Sequence, residues 1–530
     1  MSLTTFKEKQ WNRWHVSLLF LFVILSVFLR WQQINGPDNG KFTWMSAHVL
    51  NTMKVWEKGG GPQEFHYAPV YTYPEEGNKH IPLGRLPGLF DAQGNYYYVS
   101  YPPGGFLVPY YFFEALDWEK DIQHMRYFAL FLHVLSALLF LLLLKQLCTP
   151  LGISPLTMLL GGLLPFLFAM VYLHYFLHFY FTDLLFLPVF LLQCLAIVFW
   201  ERNNKSTLVM LFIIFFLFFI GAFIDWMGWI TVGVFCCLVF HRSWKSKNVK
   251  ATLFLFPGIF ALALAFGLMY EAYASIAGPE AFKELLLRKL FIRSGISGEE
   301  LTSHGATLFS GKGWWNLMLH FVNGFGMFLP MFLIVWVIGI SKKINWKSTA
   351  KKMGPLLLLF VALVVVLHTL LLFNFNALHD FSVMKTGLLL ILLGLLAYHT
   401  LGDVMDLTRF HKVMVIGLIL AVLQNGYAFV TLEKHPVTSY PEIADKIKAF
   451  AAPEDVVFLR SGMMYDPTLE LLAERNVMLK MSPLSATGWL KEHEKNSGIF
   501  IYANQQHTDS ILRITADGKK TLIFSHAQNP

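Results

Sequence analysis

Five ionisable side chains stand where apolar runs of this 530-residue chain begin or end. Asp183 closes the aromatic and histidine-rich run Tyr172-Leu-His-Tyr-Phe-Leu-His-Phe-Tyr-Phe-Thr-Asp183 and leads straight into the next apolar stretch. Asp225 lies in Phe223-Ile-Asp-Trp226, just ahead of a second tryptophan. His379 and Asp380 lie in Asn374-Phe-Asn-Ala-Leu-His-Asp-Phe-Ser382, and Lys385 follows inside the next apolar stretch. Ionisable groups at membrane depth are costly, so they face an interior cavity or one another. Carboxylates and a histidine beside a lysine can move a proton and hold an anion. The plain structural alternative applies to Asp183 and Asp225: each begins a helix, and a carboxylate there is a favourable cap.

The elements that must position these groups are membrane spans. The chain is 55% hydrophobic and 16% aromatic, with 50 Phe and only 14% charged residues, the composition of a polytopic membrane protein. A first span, Val16–Leu29, follows Lys7, Lys9 and Arg13 and lacks a small-residue cleavage site, so it reads as retained. Further apolar stretches recur at about 125–144, 156–173, 184–200, 208–224, 226–240, 253–273, 317–340, 356–373, 383–398 and 413–431, making about eleven spans. Lys and Arg gather in alternate connectors: Lys145; Arg202 and Lys205; Arg242, Lys245, Lys247 and Lys250; Lys342, Lys343, Lys347, Lys351 and Lys352; Arg409 and Lys412. That bias puts the amino terminus in the cytoplasm and the five ionisable groups on the opposite side. It also accounts for the net charge of +8 without a nucleic acid partner. Cys148, Cys194, Cys236 and Cys237 have neither zinc spacing nor a place in the polar regions. No cofactor is expected, although acids and histidines sharing one side leave a divalent metal open.

Two polar regions complete the plan. Residues 31–124 form a large outer loop, rich in Gly, Pro and Tyr, carrying Phe65-His-Tyr-Ala-Pro-Val-Tyr-Thr-Tyr-Pro74 and Asn95-Tyr-Tyr-Tyr-Val-Ser-Tyr-Pro-Pro-Gly-Gly105. Within it 43–58 reads as a helix capped by Thr43, too polar to span and expected along the interface. Residues 1–432 are the membrane domain, and 433–530 alternate helix and strand patterns as a small outer α/β domain with a partly parallel sheet. No glycine-rich phosphate loop marks this tail, which reads first as a docking or lid module.

This layout resembles the GT-C superfamily of integral-membrane glycosyltransferases. The resemblance rests on the basic amino terminus and first span, the large loop opening with a juxtamembrane helix and ending in a Tyr-rich Pro-Pro segment, Thr182-Asp183, His379-Asp380 and the soluble tail. It implies an enzyme that moves a sugar from a polyprenyl-phosphate carrier to a hydroxyl of a glycan, lipid or protein on the non-cytoplasmic face, in a bacterial inner membrane. Asp183, His379 and Asp380 are then catalytic candidates and Asp225 a substrate contact. Lys385, Arg85, Arg288 and Arg293 would hold the lipid phosphate, and Tyr71, Tyr73, Tyr97 and Tyr101 would stack on sugar rings. One departure stands out. The family usually places an acid at the start of the juxtamembrane helix, where this chain has Thr43-Trp44-Met45. Asp38 and His48 are the replacements at hand, and His48 is favoured because its ordinary pKa lies near 6.5. A transporter or flippase of a lipid-linked saccharide, or an outer-face glycan polymerase or ligase, is the alternative. The transporter would show internal repeats and broken helices meeting at the midplane, and no repeat is visible.

Overall fold

The computed structural model describes residues 11–36, 42, 44–82, 88–203, 208–246, 252–296, 306–341, 354–401, 408–431, 439–460, 467–480, 482–503 and 507–526. Arg85, Asp38, Thr43 and the basic cluster from Lys342 to Lys352 lie outside them.

Apolar helices make the larger part. Among the described residues seven are long and apolar enough to cross a membrane, or up to nine if each of two bent pairs is one span. Two more, Leu208–Ile224 and Pro355–Leu371, are apolar but shorter. Large side chains on their outward faces are bare, including Phe20, Phe212, Ile419 and Leu423, all more than half exposed. Apolar patches of that kind belong against lipid, and the chain is an integral membrane protein.

The bent pairs correct two expected spans. The stretch predicted at 156–173 is a helix pair, Pro155–Phe168 and Met170–His178, bent by 47°. The stretch predicted at 317–340 is two helices, Gly311–Phe325 and Phe328–Ser341, meeting at 108° around Gly326. Gly326 adopts φ +53° and sits against Gln424 and Asn425. Hydropathy averages over such a corner, which is why one long run was read there.

The 31–124 segment is built more regularly than its Gly and Pro content implied. After the expected helix, found at Trp44–Lys58, come a short hairpin of β1 (Leu89–Phe90) and β2 (Tyr96–Tyr97) and a helix, Gly104–Leu116, that the sequence reading missed. Gly104 and Gly105 let this helix start in contact with the bundle. A Cβ on Gly104 would lie 2.5 Å from the Phe223 carbonyl oxygen, and one on Gly105 would lie 2.2 Å from the Thr182 side chain. The Trp44–Lys58 helix is buried on both faces rather than lying along an interface. Two of its polar groups tie it to its surroundings: Ser46 accepts from the Tyr180 amide, and Asn51 accepts from the Tyr73 hydroxyl and donates to the Pro467 carbonyl.

Pro467 belongs to the carboxy-terminal region, where five strands take the order β4-β3-β5-β6-β7. These are β3 (Val456–Arg460), β4 (Val477–Lys480), β5 (Ser497–Ala503), β6 (Thr508–Thr515) and β7 (Lys520–Ser525). β3 runs parallel to β4 and β5, and β5, β6 and β7 are antiparallel. Alternation along β3 sends Val457 and Leu459 to one face, against Ile443, Ile447 and Leu469. Val456 and Phe458 go to the other, against Trp489, Leu490 and Ile81. A helix, Pro483–Glu492, capped by Ser482, lies between β4 and β5. Asn476 ties this region to the first loop. Its amide group accepts from the Tyr73 N–H and donates to the Tyr71 carbonyl.

Candidate active site

Three chain reversals converge at the end of the bundle that carries the 44–116 segment. Thr182–Asn203 begins with Asp183 in its first turn. Leu208–Ile224 turns back into Trp226–Ser246 at Asp225. The turn is tight: a Cβ on Gly228 would fall 2.0 Å from the Gly221 carbonyl oxygen. Val383–Leu401 begins one short 3-10 turn after His379 and carries Lys385 in its first turn.

Lys385 Nζ lies 2.6 Å from Asp183 Oδ1 and 3.2 Å from Asp225 Oδ1. All three groups are shut away from solvent. A lysine this deep is tolerated because two carboxylates flank it. The aspartates differ in their remaining contacts. Asp225 Oδ1 accepts from the Met227 amide at 2.7 Å, and its Oδ2 accepts from the Thr182 hydroxyl at 2.8 Å. The cap reading is therefore right for Asp225, which caps its helix and holds Lys385 together. Asp183 takes the Lys385 ammonium on Oδ1, and among the described residues no other side chain donates to this carboxylate. It is the carboxylate with acceptor capacity to spare.

A narrow cleft opens beside this triad, lined by Asp183, Asp225, Lys385, Tyr101, Arg293 and His368, among others. Arg293 comes from the Pro279–Ser294 helix. Its guanidinium lies 4.3 Å from the Tyr101 ring centroid and donates to Ser100 Oγ at 2.6 Å. Among the described residues no carboxylate pairs with it. The Ser100–Tyr101 backbone is fixed from the bundle side, since the Trp226 indole donates to the Ser100 carbonyl at 2.8 Å and the Tyr273 hydroxyl to that of Tyr101. The wall thus joins the Tyr-rich loop to four helices.

Of the residues picked out in the sequence, the cleft gathers Asp183, Asp225, Lys385, Arg293 and Tyr101. His379 and Asp380 stand beside it. The His379 imidazole Nδ1 is 2.8 Å from the Phe375 carbonyl and the ring stacks on Phe375, while Asp380 accepts from the Tyr175 hydroxyl. Arg288 is exposed on its helix and does not line the cleft. Three tyrosines are packing residues rather than sugar platforms. Tyr71 and Tyr73 are buried against the carboxy-terminal region, and the Tyr97 hydroxyl donates to Asp91 at 2.9 Å. His48 is also displaced from its expected role. It sits among Trp44, Tyr71 and Tyr98, away from the cleft lining. Burial, and then the nearby Lys289, push its pKa down to about 3, which makes it a weak base.

His368, which lies inside the apolar run at 356–373 and carries no signal of its own in the sequence, lines the cleft with Leu372 and Phe375. His368 is on the Pro355–Leu371 helix and Phe375 on the next, Phe373–Leu378, with a break at Leu372 between them, so no single helical period marks the three in the sequence. Among the described residues no group of three His, Cys, Asp or Glu is placed to hold a metal ion.

No protein-family profile and no curated protein matches the sequence. Solved structures do match. ArnT from Cupriavidus metallidurans bound to undecaprenyl phosphate aligns with a TM-score of 0.57 at 11% identity, over 92% of this chain and 93% of that one. The oligosaccharyltransferase AglB from Archaeoglobus fulgidus, in complex with an inhibitory peptide and a dolichol-phosphate, aligns with a TM-score of 0.56 at 10% identity, over 98% of this chain and 75% of that one. The chain shares the overall fold of these two structures. At these identities the GT-C likeness concerns architecture, and the chemistry has to be argued from the residues of this chain.

Proposed function

We propose that this protein is a glycosyltransferase that moves a sugar from a polyprenyl-phosphate carrier to an acceptor hydroxyl on the non-cytoplasmic face of the membrane. The observation that carries the reading is the pairing of an under-used carboxylate, Asp183, with an uncompensated cation, Arg293, in one cleft at a span end. ArnT and AglB, which share the fold, were solved with undecaprenyl phosphate and with a dolichol-phosphate.

In the proposed reaction the acceptor oxygen forms a bond to the anomeric carbon as the bond from that carbon to the carrier phosphate oxygen breaks. The hydroxyl proton passes to Asp183, which needs only hydrogen-bond reach of the acceptor. The carrier phosphate keeps the electron pair and gains negative charge, which the Arg293 guanidinium meets with two parallel N–H donors. Tyr101 holds that guanidinium in place from below by its ring. Lys385 acts through the carboxylates, fixing Asp183 and offsetting the buried pair. Asp225 orients Lys385. His379 and Asp380 border the route by which an acceptor arrives. The Lys and Arg bias of the connectors supports a cytoplasmic amino terminus and a 433–530 domain on the far side, which covers the first loop as a docking module.

The test is mass spectrometry of lipids that co-purify with the full chain. Wild type is expected to carry a polyprenyl phosphate, Arg293→Gln to lose it, and Asp183→Asn to retain and enrich the sugar-loaded form. Bulk phospholipid alone in folded wild-type protein would overturn the reading.

A further inference from the structure

A second cation stands one helical turn from Arg293 and is more deeply buried. Lys289, on the same face of Pro279–Ser294, is 7% exposed, and its Nζ lies 4.3 Å from the Tyr98 ring centroid. Arg293 lies 4.3 Å from Tyr101, so two cations of one helix rest on two tyrosines of one loop. Among the described residues Lys289 has no carboxylate partner and no hydrogen bond. The ring that faces it from the other side, Tyr98, is stacked on His48 at 5.8 Å with 7° between planes, and Tyr71 meets both edge-on at 5.4 and 5.9 Å. His48 Nδ1 is buried and has no hydrogen-bond partner among the described residues.

An unpaired buried ammonium is destabilising, and an orphaned polar atom beside it adds to the cost. Cation–π contact with one tyrosine offsets part of that cost. Folds keep such groups where a ligand completes them. The spacing matters as well: one turn of helix rises 5.4 Å, so an anion at Lys289 sits next to a phosphate at Arg293.

We infer that Lys289, with Tyr98, His48 and Tyr71 around it, is a second anion-binding subsite, which takes a phosphate or carboxylate adjoining the phosphate held by Arg293. This rests on the lipid-phosphate reading of the cleft and adds to it that the ligand carries two anionic groups. Two sources share that chemistry: the second phosphate of a diphosphate linkage, and an acid on the transferred sugar. Burial, then Arg293 and Arg288, push the Lys289 ammonium well below the usual lysine range, consistent with a cation that lacks its partner.

The experiment is native mass spectrometry of the full chain in nanodiscs, titrated with four probes: undecaprenyl phosphate, undecaprenyl diphosphate, and undecaprenyl phosphate carrying glucose or glucuronic acid. Wild type is compared with Lys289→Met, which keeps the volume without the charge, and with Lys289→Arg, which restores it. A charge-assisted hydrogen bond predicts a preference of about tenfold or more. If the second phosphate is the occupant, diphosphate outbinds monophosphate by that factor. If a sugar acid is the occupant, glucuronate outbinds glucose by it. Either preference must vanish in Lys289→Met and return in Lys289→Arg. Ratios near one in wild type, or ratios unchanged in Lys289→Met, overturn the subsite and leave the carrier reading standing. Failure of all four probes to bind wild type overturns both. Unfolding of unliganded Lys289→Met separates a merely structural lysine, because loss of an uncompensated charge raises its Tm and loss of a structural contact lowers it.

Discussion

Replacing Lys385 by Met is the sharpest test of the buried triad. At an effective dielectric of 20 the 2.6 Å and 3.2 Å pairs are each worth about 5–6 kcal/mol before desolvation. The variant leaves two carboxylates facing each other without a cation. Removing one partner of a buried ion pair typically costs about 3–5 kcal/mol. An independent route gives a similar figure. The variant can relieve the repulsion by binding one proton, and protonating an ordinary aspartate at pH 7 costs about 1.36 kcal/mol for each of roughly three pH units, or about 4 kcal/mol. The two estimates agree, and the second adds a signature: at pH 5 the same proton costs about 1.5 kcal/mol. Lys385→Met should therefore be destabilised by about 4 kcal/mol at pH 7 and by less than half of that at pH 5. Adding Asp183→Asn should recover a large part of the loss at pH 7, because the neutral amide removes the repulsion that the lysine had offset. The assay is equilibrium unfolding in detergent, followed by tryptophan fluorescence, for the wild type, both single variants and the double variant at both pH values. A Lys385→Met protein within about 1 kcal/mol of wild type at pH 7, or a loss independent of pH, would refute a charged, solvent-excluded triad.

Three further outcomes follow from other contacts. Hydrogen bonds from Lys54 and Lys58 outweigh desolvation and hold Glu474 down to about 2. The folded pKa is depressed, so this stabilisation is present above the unfolded carboxylate range near 4.3 and is lost as pH falls from there towards 2. These side chains are 22–35% exposed, so solvent screening reduces the pair to about 1–2 kcal/mol. Limited proteolysis should open the carboxy-terminal region below pH 4, and Glu474→Gln should open it earlier. Gly105→Ala puts a methyl group 2.2 Å from Thr182. It should cost about 1–3 kcal/mol, displace the hydroxyl that Asp225 accepts from, and lower Tm. Arg293→Gln should weaken undecaprenyl phosphate binding by about tenfold to a hundredfold, read by native mass spectrometry, with little change in Tm.

Much of the architecture is written locally. Apolar runs specify most of the helices that cross the bundle, and short continuous apolar runs specify β3, β4 and β5. Asp-Gly at 517–518 marks the β6–β7 turn, where Gly518 takes φ +93°. The Gly104–Leu116 helix was missed because Gly-Gly and Pro109 argue against a helix on propensity. Burial of Phe106, Tyr110 and Phe113 against the bundle overrides that preference.

The sequence by itself determined that Asp183, Asp225 and Lys385 stand at the ends of apolar runs and that such groups need partners. Which partners they find is a long-range matter: Lys385 and Asp225 are 160 residues apart, and no periodicity spans that distance. The tertiary structure alone decided that Asp225 accepts from Thr182 and Met227 as well as Lys385 while Asp183 has Lys385 as its side-chain partner, that Arg293 rather than Arg288 reaches the cleft, and that His48 is enclosed by aromatic rings. In each case the residue type states a capacity for hydrogen bonding or charge. The surrounding chain decides how much of that capacity is already used, because desolvation and pairing depend on which atoms lie within a few ångströms rather than on sequence neighbours.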